Sequence, residues 1–350
     1  MSNFIEIKDR RIGPGCPIYV IAELSANHNG DFEEAVAIIH AAKDAGADAV
    51  KLQTYTPDTI TIDCDTEYFR IAKGTIWEGR NLYQLYGEAY TPWEWQPRLK
   101  TIADGLDLAL FSSPFDDTAV DFLEQMRVPA YKIASFEMID TPLIEKVART
   151  GKPVIISTGM ATLEEIHDAV AAVHRTGNSQ LALLKCTSAY PAPPEEMNLH
   201  TIPDLSRRFG VPVGLSDHTL GTAVPVAGVS VGACIVEKHF TLSRSVRGPD
   251  SEFSLEPHEF KRMVEDIRTA ERALGGVCYA VSEREQASKV FRRSLFVVKD
   301  IRAGEIFTID NVRSIRPANG LPPKFLGDVL GRKAAVDLKR GTPLRWEAVT

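Results

Sequence analysis

Hydrophobic positions along this chain fall into short apolar runs separated by segments of helical spacing. The runs are Ile18–Ala22, Ala49–Leu52, Leu108–Phe111, Ala130–Ala134, Pro153–Ile156, Leu181–Lys185, Val211–Leu215 and Ala233–Val236. Runs this short, aliphatic and bounded by polar residues read as buried parallel strands. Between them, apolar residues recur three and four apart. Ala35, Ile38, Ile39, Ala42 and Ala45 do so after a capping-box-like start, Asp31 with Glu34, and Gly46 closes that helix. The same spacing predicts helices over Pro92–Ala103, Asp117–Met126, Pro142–Thr150, Leu163–Arg175, Ile202–Phe209, Thr222–Gly232 and Pro257–Leu274. Residues 55–90 form one long connection carrying Tyr68, Phe69, Trp77, Tyr83 and Tyr86. Connections of that length are usually functional.

Strict strand–helix alternation, eight times over roughly 270 residues, predicts an α/β protein built as a (β/α)8 barrel. A doubly wound open sheet is the alternative, weakened because no GxGxxG follows the first strand. After Gly275-Gly276 the pattern changes. Ser294–Val298, Ile306–Thr308, Val312–Ile315 and Ala334–Asp337 are short strand-like pieces between Gly, Pro and charged turns. The expected layout is a barrel domain over 1–280, a polar linker over 281–289 and a small domain over 290–350. That last piece is too small for a second enzyme.

Composition sharpens this only by exclusion. The 350 residues are 44% hydrophobic and 25% charged, as in ordinary soluble proteins. A net charge of −7 argues against an extended nucleic-acid surface. No apolar run has membrane-spanning length, and the opening residues lack the apolar core of a signal peptide. Cys16, Cys64, Cys186, Cys234 and Cys278 are odd in number and never in CxxC spacing. Free thiols in the cytoplasm are the expectation.

The chemistry collects where the apolar runs stop. Polar groups there are Glu23, Lys51 with Gln53, Ser113, Lys132 with Ser135 and Glu137, Ser157, Ser188, Ser216 with His218, and Glu237 with His239. In a barrel all of them meet at the C-terminal face, where active sites form. A single serine at such a place is as readily a helix cap. Lys51 and Lys132 are harder to dismiss, because lysines inside apolar strands need an anionic partner. Two lysines, several hydroxyls and helix N-termini make an anion site suited to phosphate. His218 and His239, beside Asp217, Glu237 and Lys238, suggest a divalent metal; each imidazole could instead satisfy backbone groups. Glu23, Glu137 and Glu237 are candidate acid–base groups. Together these point to a metal-assisted reaction on a phosphorylated substrate.

The motifs IAELSANHNG, DAVKLQTYTP, SSPFD, YKIASFE, STGMAT, LKCTSAYP, GLSDHT, EKHFTL and GPDSEFSLEP, in this order, resemble the sialic acid synthase family. The later RPANGL resembles the antifreeze-like (SAF) domain that follows the barrel in those enzymes. ELSANHN, TIWEGRNLYQLYGEAYTPWEW and DSEFSLEP look closest to the pseudaminic acid synthases. The resemblance implies a C–C bond-forming transferase that condenses phosphoenolpyruvate with an open-chain acetamido sugar, here 2,4-diacetamido-2,4,6-trideoxy-L-altrose. N-acetylneuraminate or legionaminic acid synthesis is the alternative. A phosphoenolpyruvate-dependent aldol synthase acting on a sugar phosphate and a non-catalytic carbohydrate-binding barrel are the competing readings from outside the family. The resemblance also implies roles. His218 and His239 would hold Mn²⁺, Mg²⁺ or Co²⁺. Lys132, Ser113, Ser135, Ser157, Ser188 and Ser216 would cradle phosphoenolpyruvate. Lys51, Gln53, Tyr190 and Asp250 would hold the sugar, while Glu23 and Glu137 handle protons or water, with Lys51 and Glu237 in the same catalytic group. Arg316, with Asn319 in the same turn, would reach the neighbouring subunit's site in a domain-swapped homodimer.

Overall fold

The computed structural model describes residues 4–72 and 77–350. It divides into two compact units, Met1–Gly275 and Gly276–Thr350. Thr75 and Ile76 of the aromatic connection lie outside the described residues.

The first unit is a closed barrel of eight parallel strands. They are β1 Tyr19–Glu23, β2 Ala49–Thr54, β3 Ala109–Pro114, β4 Tyr131–Ile133, β5 Val154–Ser157, β6 Leu181–Cys186, β7 Val213–Asp217 and β8 Ile235–His239. Each pairs with the next, and β8 closes on β1 with His239 opposite Glu23. Apart from β4, every strand continues past its apolar run into the polar residues beyond. Closure supplies ladder partners on both sides, so the backbone stays extended where the side chains have already turned polar. That extension fixes Glu23, Ser113, Ser157, Ser216, Glu237 and His239 on rigid backbone rather than on loops.

The helices follow from spacing and caps. Asp31 accepts from the backbone N–H of Glu33 and Glu34 and starts Phe32–Asp44. Thr162 and Glu165 form a reciprocal capping box at Leu163–Arg175. Ile38, Ile39, Ala42, Phe260 and Met263 bury their apolar stripes against the outward-facing Val20, Val50, Leu52 and Val236 of the strands. Each fully buried aliphatic or aromatic side chain there contributes about 1.5–3 kcal/mol. Three features differ from expectation. A two-stranded hairpin, Ile5–Ile7 with Arg10–Ile12, precedes the barrel and adds its isoleucines to the cluster of Tyr19, Ala49 and Ala109. The long connection contains helices Pro57–Ile60 and Leu82–Ala89. The predicted helix from Pro92 opens as a 3-10 turn, Trp93–Trp95, before Gln96–Gly105.

Successive residues of β7 and β8 face opposite ways, with a consequence for the proposed metal surroundings. Ser216, Glu237 and His239 face the lumen, whereas Asp217 and Lys238 point outward and pair with each other at 2.5 Å, both side chains fully buried. Asp217 also accepts from the N–H and hydroxyl of Thr219. Asp217 and Lys238 are therefore a structural ion pair, not part of the histidine site.

The second unit pairs β9, Ser294–Val297, with β10, Val312–Ile315, antiparallel. The expected strands Ile306–Thr308 and Ala334–Asp337 reduce to single bridges, Ile306 with Lys333 and Ala334 with Val349. Leu295, Val297, Ile301, Phe307, Val312, Val329 and Leu344 form its core. The stretch read as a polar linker contains a helix, Glu283–Ser288, begun by a Ser282–Glu285 capping box. Among the described residues no helix is long and apolar enough to cross a membrane.

Removing either partner of the outward pair leaves a desolvated charge. Lys238→Ala or Asp217→Ala should destabilise the barrel by about 3–5 kcal/mol. Chemical denaturation measures this, and a loss below 1 kcal/mol would contradict the pairing.

Candidate active site

Strand register alone brings the polar strand ends together. Glu23 sits opposite Lys51, Gln53 opposite Ser113, and Ser216 opposite both Cys186 and Glu237. Lys51 Nζ lies 2.5 Å from Glu23 Oε2 and 3.9 Å from Glu237 Oε1. It also donates to Ser113 Oγ at 3.4 Å. Lys132 Nζ is 3.6 Å from the same Glu237 oxygen, which accepts from Ser216 Oγ at 3.2 Å. Two lysines and two glutamates thus share one buried lumen.

Burial decides how these groups titrate. It pushes Glu23 up to about 7 against the pull of Lys51. Burial alone would raise Glu237 as well, but Lys132 and Lys51 outweigh it and hold that carboxyl low. Burial works to depress Lys51, and the carboxylates of Glu23 and Glu237 more than restore it. Lys132 stays depressed, because burial prevails over the single glutamate beside it. Lys132 is therefore the cation most in want of a further anion.

The strands on either side of β4 carry serines at their ends. Ser157 Oγ is buried and has no hydrogen-bond partner. Ser135 Oγ accepts the N–H of Gly159 at 3.2 Å. A Cβ on Gly159 would fall 2.2 Å from Ser188 Oγ and 2.6 Å from Ser135 Oγ, so only glycine lets these two hydroxyls converge. Glu137 lies just past β4. Burial lifts its carboxyl to about 7, and its Oε2 has no hydrogen-bond partner.

The histidines lie beside this cluster with ring centroids 5.4 Å apart. His218 Nδ1 bonds the carbonyl of Thr187 at 2.9 Å, which leaves Nε2 for a ligand. His239 Nδ1 is buried without a partner, and burial holds the ring neutral, well below the ordinary histidine range. Burial works to lower His218 too, but Cys186 and the Thr187 carbonyl outweigh it and hold that ring above the ordinary histidine range. The oriented pair, once His218 gives up its proton, fits a divalent cation. Among the described residues no group of three or more His, Cys, Asp or Glu forms a protein-only metal cage. The pair would therefore leave coordination positions open to water or substrate.

An aromatic wall continues outward. Tyr190 packs on His218 with centroids 4.3 Å apart and on Phe253 at 5.0 Å. Trp77 lies 5.6 Å from Tyr190 and donates its indole N–H to the carbonyl of Pro249 at 3.1 Å. Trp77 also lines, with Arg80, Arg247 and Ser251, a cavity of about 790 Å³. Gln53 Nε2 donates to Glu23 Oε1 at 3.0 Å and to Ser25 Oγ at 2.9 Å. Ser25 Oγ in turn donates to Asp250. Arg316 and Asn319 belong to the second unit, where both are exposed.

The barrel residues read from sequence as candidate catalytic, substrate or metal groups are at or beside this cluster, apart from Asp217 and Lys238; of the aromatic connection, Trp77 reaches it, whereas Tyr68 is exposed. Ser25, Cys186 and Phe253 join it without having been singled out. Cys186 Sγ lies 3.9 Å from His218 Nδ1. Burial would raise the thiol, but His218 outweighs it and brings it to about 7. Its signal was a cysteine ending an apolar run directly before Thr187-Ser188. Phe253 had none, since a lone Phe in a loop reads as core.

A closed parallel barrel whose C-terminal mouth gathers desolvated lysines, near-neutral glutamates, an unpartnered hydroxyl and a histidine pair is an enzyme for a small anionic substrate. Residues 38–279 match the NeuB family and residues 292–350 the SAF domain, and the chain belongs to the NeuB family. It is 47% identical to the pseudaminic acid synthase of Helicobacter pylori over 94% of this chain and 96% of that one. It is 36% identical to the N,N'-diacetyllegionaminic acid synthase of Legionella pneumophila, over 96% of each chain. Among solved structures, the N-acetylneuraminic acid synthetase of Leptospira borgpetersenii in complex with citrate has a TM-score of 0.73 at 31% identity, covering 82% of this chain and 95% of that one.

The Glu137 shift has a measurable sign. Its carboxyl rises from 4.5 to about 7 on folding, so the fold favours the protonated form. Stability is undiminished below pH 4.5 and falls as pH rises through the window from 4.5 to 7. Glu137→Gln should thus be more stable than the parent at pH 8, on the order of 1–2 kcal/mol, with the advantage shrinking toward pH 5. Equal stability differences at both pH values would contradict the burial of this carboxyl.

Proposed function

We propose that this chain is a pseudaminic acid synthase, condensing phosphoenolpyruvate with 2,4-diacetamido-2,4,6-trideoxy-L-altrose to give pseudaminic acid and phosphate. One observation carries the choice of sugar. Identity is 47% to the pseudaminic acid synthases of H. pylori and Campylobacter jejuni, against 36% to legionaminic acid synthases and 31% to a mouse N-acetylneuraminate-9-phosphate synthase.

The geometry suits that chemistry. Lys132 and the hydroxyls of Ser113, Ser135, Ser157, Ser188 and Ser216 bind the phosphate and carboxylate of phosphoenolpyruvate. Lys51, Gln53, Tyr190 and Asp250 hold the sugar. His218 and His239 would hold Mn²⁺, Mg²⁺ or Co²⁺, which when bound supplies Lewis acidity toward a carbonyl oxygen. C3 of phosphoenolpyruvate bonds to the aldehyde carbon, water adds at C2, and phosphate leaves as the C2–O bond breaks. Glu137 and Glu23, with carboxyls near 7, are suited to orient that water and to move its proton at neutral pH. Glu237 keeps Lys51 and Lys132 charged and in place. In the same reading the enzyme is a cytoplasmic homodimer, which light scattering checks.

Mass spectrometry of products from phosphoenolpyruvate and a panel of acetamido sugars tests the function. Efficient use of the diacetamido-trideoxy-altrose is expected, and equal efficiency with N-acetylmannosamine would defeat the reading. Lys132→Met should lower kcat/KM for phosphoenolpyruvate by about 30- to 1,000-fold, from about 2–4 kcal/mol of lost charge-assisted binding. Unchanged efficiency would move the phosphate site elsewhere. Chelation should abolish turnover and Mn²⁺ restore it, whereas His239→Ala should not recover at the same Mn²⁺ concentration.

A further inference from the structure

Ser25 stands in the loop after β1 with φ of +46°, in the left-handed region that a side chain adopts at a cost. Glycine would fill that turn without strain, so the serine side chain has a use that offsets the conformation. It is 3% exposed, and its hydroxyl is fully engaged. Ser25 Oγ accepts from Gln53 Nε2 at 2.9 Å and donates to a carboxylate oxygen of Asp250. The same oxygen faces the backbone N–H of Ala26 at 3.4 Å. Gln53 spends its other amide hydrogen on Glu23 Oε1 at 3.0 Å. Gln53 comes from β2 and Asp250 from the loop after β8, and among the described residues Ser25 Oγ is the atom whose hydrogen bonds connect them.

Neighbouring contacts hold the two loops so that this relay can form. Asn27 donates to the carbonyl of Phe240 at 3.0 Å and to Ser254 Oγ at 2.9 Å. Ser254 Oγ in turn donates to the carbonyl of Asp250 at 2.6 Å. The loop backbone is thus secured without Ser25. What the Ser25 hydroxyl adds is the orientation of two side chains, the Gln53 amide and the Asp250 carboxylate. A hydroxyl is suited to this because it accepts from an amide and donates to a carboxylate at once.

We infer that Ser25 is a positioning residue for the sugar half of the site, fixing Gln53 and Asp250 in the orientation that receives the acetamido sugar and leaving the phosphoenolpyruvate half untouched. This rests on the assignment of Gln53 and Asp250 to the sugar in the proposed function. Its readout is therefore a split between the two substrates that a purely structural turn residue would not produce.

Two variants make the test. Ser25→Gly removes the hydroxyl and relieves the backbone strain; Ser25→Ala removes the hydroxyl and keeps the strain. The parent's turnover of the diacetamido sugar with phosphoenolpyruvate is measured first, and its absence counts against the functional reading, not against Ser25. For both variants the KM for the sugar should rise about 10- to 100-fold, as for loss of a hydrogen bond to a charged group. The KM for phosphoenolpyruvate should stay within twofold of the parent. Ser25→Gly should melt no lower than Ser25→Ala. An unchanged sugar KM in both variants, or an equal rise for both substrates, would overturn the inference. So would a crystal structure of either variant in which Gln53 and Asp250 keep the parent orientation, a readout that holds whatever the substrate proves to be.

Discussion

Four buried ionisable side chains, Glu23, Lys51, Lys132 and Glu237, set the terms for the rest of the barrel. Moving one carboxylate or ammonium out of water costs several kcal/mol, so each needs its partner within a few ångströms. Glu23 and Lys51 meet at 2.5 Å, while Glu237 stands 3.9 Å from Lys51 and 3.6 Å from Lys132. Two positive and two negative charges would balance, but the spacing is uneven. Lys51 has two carboxylates and Lys132 shares one of them. The imbalance leaves Lys132 the less satisfied of the two cations, on the strand beside the one that ends in a serine hydroxyl with no partner of its own.

Strand alternation lets the same short segments serve two purposes. On β7 and β8, lumen-facing Ser216, Glu237 and His239 form the site, and outward-facing Asp217 and Lys238 fasten it from behind. A side-chain period of two separates a working face from a structural one within five residues. A similar division holds on β3. Ser113 faces Lys51, while its neighbour Ser112 bonds Thr54 outside the lumen at 2.6 Å. Polar residues at strand ends are thus of two kinds, and only the direction of the side chain tells them apart.

The strands supply the charged lumen, and the loops supply the wall around it. Tyr190, Phe253 and Trp77 extend an apolar wall from the histidine pair toward the cavity beside Arg247. Aromatic rings supply broad contact area at small entropic cost, which suits a deoxygenated, acetylated sugar. The loops after β1 and β8 are joined through Asn27, Ser254 and Asp250. A wall and a polar relay built on two fastened loops can be altered without disturbing the lysine–carboxylate lumen.

The eight repeats, the change of pattern at Gly275-Gly276 and most of the strand-end residues were legible in the sequence, because burial imposes periodicity and apolar runs stop where the mouth begins. Lys51 and Lys132 were legible for the same reason, since a lysine inside an apolar strand is anomalous wherever it points. The capping box at Ser282 and Glu285 was also written in the sequence, though the stretch read as linker. What the sequence did not carry was direction and register. Whether Asp217 or Glu237 joined the histidines depended on which face of its strand each occupied. Ser25 became a site residue only because β1, β2 and the loop after β8 meet in space, contributing Ser25, Gln53 and Asp250 from distant parts of the chain. Local patterning records which residues are buried, but which buried polar groups face one another is fixed only when the barrel closes and the ladder sets every strand against its neighbours.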